Sequence, residues 1–201
     1  MTRLSRFQRL ALLTASTTVI TGGALLPGTA FAAPAPHAPS VTAADARWVE
    51  TKDAHSGITA ELPAKPKVEN LPGGRTYLAE TDSMIAQFSV VESSGAGQND
   101  LDSALEGYVS GYNEPAQSAE EKIESTNVST GTTADGHPTL HADIAAPDGT
   151  AGRVGFIYTG DYVVQIAAVG VSTEPDTVQA DYKQLLDSVQ LPAGGQPGRA
   201  L

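Results

Sequence analysis

Between Gly152 and Ser172 apolar side chains alternate with small or polar ones in two runs. Val154, Phe156 and Tyr158 interleave with Arg153, Gly155 and Ile157; Tyr162, Val164, Ile166 and Ala168 interleave with Val163, Gln165, Ala167 and Val169. Thr159-Gly160-Asp161 separates the runs and supplies turn chemistry, so the stretch predicts a β-hairpin. The second arm is apolar on nearly both faces. A strand tolerates that only with cover on each side, which places this arm at the centre of a sheet.

The same period-two signal predicts the other strands. Trp48-Val49 and Gly57 to Pro63 form a first hairpin; Thr76 to Glu80 and Ser83 to Glu92 are strands joined by Thr81-Asp82; Lys122 to Thr130 alternates weakly; Thr139 to Ala145 puts Leu140, Ala142 and Ile144 on one face and His141 and Asp143 on the other. The prolines at 63, 66 and 72, with Gly73-Gly74, predict a loop without regular structure between the first hairpin and Thr76. Short turns at Ala134-Asp135-Gly136 and Pro147-Asp148-Gly149 favour antiparallel pairing.

Two helices show a period near 3.6. Leu101, Leu105, Tyr108, Val109 and Tyr112 make one stripe, with Asn99 and Asp102 at capping-box spacing; Val178, Tyr182, Leu185, Leu186 and Val189 make the second, opened by Thr173, Pro175 and Asp176. Glu114-Pro115 and Leu191-Pro192 end them.

Composition adds the expected destination of the chain. Residues 1-32 carry Arg3, Arg6 and Arg9 without an acid, then an apolar run broken by Pro27-Gly28, then Ala30-Phe31-Ala32. This predicts an export signal cleaved between Ala32 and Ala33, and the run is too rich in Thr and Gly to remain as a stable membrane span. Residues 33-45 are a Pro/Ala-rich spacer, 46-192 one folded domain, and 193-201 a Gly/Pro-rich tail. Of 12 Lys and Arg, the signal takes three, leaving nine against 23 Asp and Glu, a net charge of −14. Such a surface repels phosphate backbones, so no nucleic acid is expected as a partner. The chain has no cysteine, which excludes disulfides, thiolate chemistry and lipidation at a cysteine.

Candidate chemistry is sparse. His137 and His141 are four apart, with Asp135 and Asp143 nearby, but Gly136 and Pro138 indicate a turn and a strand, where helical ligand spacing does not apply. No metal site, cofactor or catalytic residue is therefore assigned. A G-x-S-x-G elbow, an H-E-x-x-H pair and a phosphate-binding lysine loop are all missing from the sequence. Trp48 and Tyr77, the large amphipathic rings least tied to the apolar stripes, are the candidate binding residues. They would line a groove between helices and sheet edge that accepts a protein, peptide, lipid or glycan of the cell envelope.

Several segments carry a resemblance: G-I-x-x-x-L-P at Gly57 to Pro63, Asp135 to Ile144, G-x-V-x-F-x-x-x-G-D-Y-x-V-Q-I at Gly152 to Ile166, and L-L-D-S-V at Leu185 to Val189. Over Arg47 to Pro192 the chain resembles secreted PsbP-like proteins and the LpqN-type lipoproteins of actinobacteria. The resemblance implies an α+β fold, a central antiparallel β-sheet with helices packed on both sides (a PsbP-like α/β/α sandwich), and an accessory or binding role without catalysis. The chain departs from the lipoproteins by lacking the lipidated cysteine. The expectation is a monomeric, non-enzymatic module at or outside the cell envelope; the alternative is a small secreted enzyme or inhibitor with a loop-built site around His137, His141 and neighbouring acids.

Overall fold

The computed structural model describes residues 48–171 and 175–192, which belong to one compact unit. The expectations for 1-32, 33-45, 193-201 and the Thr173 cap lie outside the described residues.

The described residues form nine strands: β1 (Val49–Lys52), β2 (Thr59–Leu62), β3 (Lys67–Leu71), β4 (Gly74–Glu80), β5 (Met84–Glu92), β6 (Glu124–Thr132), β7 (Pro138–Ala145), β8 (Thr150–Tyr158) and β9 (Tyr162–Val171). Helix α1 (Gln98–Asn113) lies between β5 and β6, and α2 (Pro175–Ser188) follows β9. Strands β3 to β9 make one antiparallel sheet in the order β3-β4-β5-β9-β8-β7-β6, so the doubly apolar β9 is the middle strand.

The alternation along β9 divides the core in two. Val164, Ile166 and Ala168 face α2 and the β1–β2 hairpin, together with Phe88, Met84, Ile58, Leu62, Tyr182 and Leu185. Val163 and Ala167 face α1, together with Leu101, Leu105, Leu140, Ile144, Val154 and Phe156. The helices therefore cover opposite faces of the sheet. The β1–β2 hairpin is held to the end of α2 and the chain just beyond it by Thr59 N–H to Gln190 O (3.1 Å), Gln190 N–H to Thr59 O (2.9 Å) and Glu61 N–H to Ser188 Oγ (2.8 Å).

Two local expectations are corrected. Lys67 to Leu71 is not irregular loop but strand β3, paired residue for residue with β4. Pro66 and Pro72 lie just outside it and cost the ladder nothing, and the strand shows no alternation because as an edge it is wet on both faces. Asn99 is not the cap of α1 but lies inside it. Gly97, at φ 65°, holds the cap position, and the Asp100 carboxylate turns back to accept Ala96 N–H (2.9 Å) and the Ser94 hydroxyl.

Candidate functional site

Strands β7 and β8 bring the chain's polar chemistry to the sheet face that α2 only partly covers. Their register sets His141 opposite Gly155 and Asp143 opposite Arg153. Arg153 Nε lies 2.9 Å from Asp143 Oδ1, an ion pair whose angle does not make a hydrogen bond. The second carboxylate oxygen accepts from Asn127 Nδ2 at 2.8 Å. Asn127 sits in the bulge where the β6–β7 register slips, at φ 49°, a conformation asparagine tolerates better than most residues.

Tyr182 projects from α2 into the same place. Its hydroxyl is 2.8 Å from His141 Nδ1, its ring stands edge-on to the imidazole, and the Arg153 guanidinium lies 5.4 Å from the ring centroid. Gly155 makes room for this: a Cβ there would stand 2.3 Å from Tyr182 Oη and 2.8 Å from His141 Nδ1. The phenol is buried and its one hydrogen needs an acceptor, so Nδ1 accepts and Nε2 carries the imidazole proton. Burial, and then the Arg153 charge, hold the His141 pKa below its ordinary 6.5, and burial raises that of Tyr182. Both are neutral at neutral pH. The one basic lone pair of His141 is thus taken by a bond that holds α2 to the sheet, which is a poor arrangement for a general base.

A stability change with pH follows. A histidine with a depressed folded pKa contributes stability above about pH 6.5 and loses it as the pH falls through the folded value. The thermal midpoint should therefore drop between pH 7.5 and pH 5, and His141→Gln should flatten that dependence. An unchanged slope in the variant would assign the effect elsewhere.

The other sequence-predicted residues are not brought together. His137 and Asp135 lie in the β6–β7 turn, and His137 is four strand residues, roughly 13 Å, from His141. His55 sits in the β1–β2 loop, edge-on to Tyr162. Among the described residues no group of three or more His, Asp or Glu side chains is placed to hold a metal ion. Trp48 is half-buried against the α2-side core. Tyr77 is 5% exposed, stacked on Phe88 and hydrogen-bonded to Asp53 (3.0 Å), so the surface ring expected there is corrected to a core residue, fixed because β4 turns Tyr77 toward the hairpin. Arg153, Asn127 and Gly155 belong to the site without a motif in the sequence that marks them. A glycine inside a strand was the available signal, since it marks a close approach.

Among the described residues, one open depression lies beside Glu61, Lys183 and Asp187 and another beside Ser93, Gly160 and Tyr162; neither is a deep cleft. No helix among the described residues is long and apolar enough to cross a membrane.

The element order can be set beside known structures. The solution structure of cyanobacterial PsbP (CyanoP) from Synechocystis sp. PCC 6803 is similar, with a TM-score of 0.57 at 12% identity over 75% of this chain and 96% of that one. The fold is PsbP-like. No protein-family model and no curated protein matches the chain. At 12% identity the PsbP likeness describes the backbone arrangement alone, and the Asn127–Asp143–Arg153–Tyr182–His141 network is described from this chain's own residues.

Proposed function

We propose that the protein is an exported, non-enzymatic binding or accessory module acting at or outside the cell envelope, and that its contact surface is the polar shelf of Asn127, Asp143 and Arg153 beside α2. The observation that carries this reading is the state of His141: its accepting nitrogen is occupied by Tyr182 and its pKa lies low, so the best-placed titratable group serves to fix the shelf rather than to move protons. Arg153, by contrast, is steered by Asp143 and stacked on Tyr182 while its side chain stays 29% exposed, a preorganised donor of the kind that anchors partner contacts. The resemblance to LpqN-type proteins and the basic, apolar, small-residue order of residues 1-32 support export.

Both halves are testable in one preparation. Intact mass of the protein from culture medium should place the new terminus at Ala33; a full-length chain kept with the cells would contradict export. The 33–201 protein should capture a partner from wall extract or supernatant that Arg153→Ala loses while the thermal midpoint is kept. Capture indifferent to Arg153→Ala would remove the shelf from the contact.

A further inference from the structure

The two edges of the large sheet are built differently. Strand β3 is short, carries Lys67 and Glu69, and is bracketed by Pro66 and Pro72, the usual protections of an exposed edge. Strand β6 has nine residues, Glu124–Thr132, and after Glu124 its side chains are uncharged and rich in Ser and Thr, with one Val. Its one irregularity, the bulge at Asn127 and Val128, bounds a regularly paired segment from Ser129 to Thr132. Among the described strands nothing pairs with the outer side of that segment.

The ladder fixes which backbone groups point outward. Thr133 N–H bonds to His137 O across the turn, so by antiparallel alternation Gly131 and Ser129 face β7 with their N–H and C=O groups. Thr130 and Thr132 therefore turn theirs away from the sheet, and the C=O of Val128, the bulge residue next to Ser129, points the same way. Two donors and three acceptors stand along about 13 Å of edge.

We propose that this edge pairs with the same edge of a second copy, antiparallel about Thr130, joining two seven-stranded sheets into one across a two-fold axis. The sequence is self-complementary in that register. Thr130 meets Thr130, and Val128 meets Thr132 twice, which are β-branched pairs without charge, and both Thr130 groups, the Thr132 N–H and the Val128 C=O find partners. Val128, 51% exposed, gains the Thr132 methyl group of the second copy as a neighbour. The same operation on β3 sets Glu69 against Glu69, a like-charge clash. The pairing departs from the monomer expected from sequence, where edge geometry was not visible. The contact is small and the chains repel through their net negative charge, so the dimer is weak and salt strengthens it.

The absence of native cysteine makes the test clean. Two facing residues that exchange both backbone bonds have Cα atoms about 5.5 Å apart, within disulfide reach. Under mild oxidation Thr130→Cys should give a covalent dimer about tenfold faster than Val68→Cys on the opposite edge. Sedimentation equilibrium of the wild type should show mass rising with concentration and with salt. Thr130→Pro removes only an outward N–H, so it should abolish the rise while keeping the thermal midpoint. Thr130→Lys, which sets like charges face to face, serves if the proline variant folds poorly. A monomer at every concentration and equal cross-linking at both edges would overturn the proposal, as would a dimer that Thr130→Pro and Thr130→Lys leave intact.

Discussion

Replacing Gly155 by alanine is expected to destabilise the fold by about 3 kcal/mol, measured by urea or thermal unfolding. The new Cβ would sit 2.3 Å from Tyr182 Oη, at the end of a ring that is 2% exposed. That ring has little freedom, with Arg153 over its face and the α2-side core below, so the clash moves either α2 or β8 and breaks the bond to His141. Tyr182→Phe should cost only about 1 kcal/mol, the net worth of one hydrogen bond. In the Tyr182→Phe background Gly155→Ala should be milder by about 1 kcal/mol or more, because the colliding oxygen is gone. Additive costs would mean that glycine is required there for another reason.

Asp53→Ala should be comparably damaging, at about 3 kcal/mol. The Asp53 carboxylate lies inside the β1–β2 loop. Oδ2 accepts Ser56 N–H (2.7 Å), the Ser56 hydroxyl (2.8 Å) and His55 N–H (3.1 Å), while Oδ1 accepts the Tyr77 hydroxyl (3.0 Å). Arg75 Nη1 stands 3.9 Å away. Alanine would leave a buried phenol and two loop amides without their acceptor and release the hairpin from β4. Burial alone would raise the pKa of Asp53, but the hydrogen bonds from Ser56, Tyr77 and His55 outweigh it and hold the group below 3.8. A lowered folded pKa means that this stabilisation is complete above about pH 3.8 and is lost as the pH falls through the folded value. Asp53→Ala should accordingly weaken the acid limb of the stability profile. A full-strength acid transition in the variant would show that other carboxylates set it.

The sheet was legible in the sequence where one face differs from the other. Leu140, Ala142 and Ile144 against His141 and Asp143 gave β7, and the doubly apolar run from Tyr162 to Val169 gave both β9 and its central place. Strand β3 was not legible, because a strand with both faces in water has no reason to alternate and its flanking prolines read as loop. The helix stripes were visible, but the cap of α1 was not: Asp100 reaches back to the loop from inside the helix, a contact that side-chain spacing at Asn99 does not encode. The network around His141 was visible only in pieces. His141, Asp143 and Tyr182 each stood out, yet their meeting depends on the β7–β8 register, on which face α2 covers, and on the missing side chain at Gly155. Tyr77 misled because amphipathic rings suit recognition surfaces and buried hydrogen-bonded sites equally well.

Native-state hydrogen exchange tests the arrangement most directly, since every inference above depends on β9 lying mid-sheet between two covered faces. The amides of Val163 to Val169 should exchange only through global unfolding, with those of β5 and β8 next, while the outward amides of β3 exchange many times faster. Protection of β9 no greater than that of β3 would contradict the account.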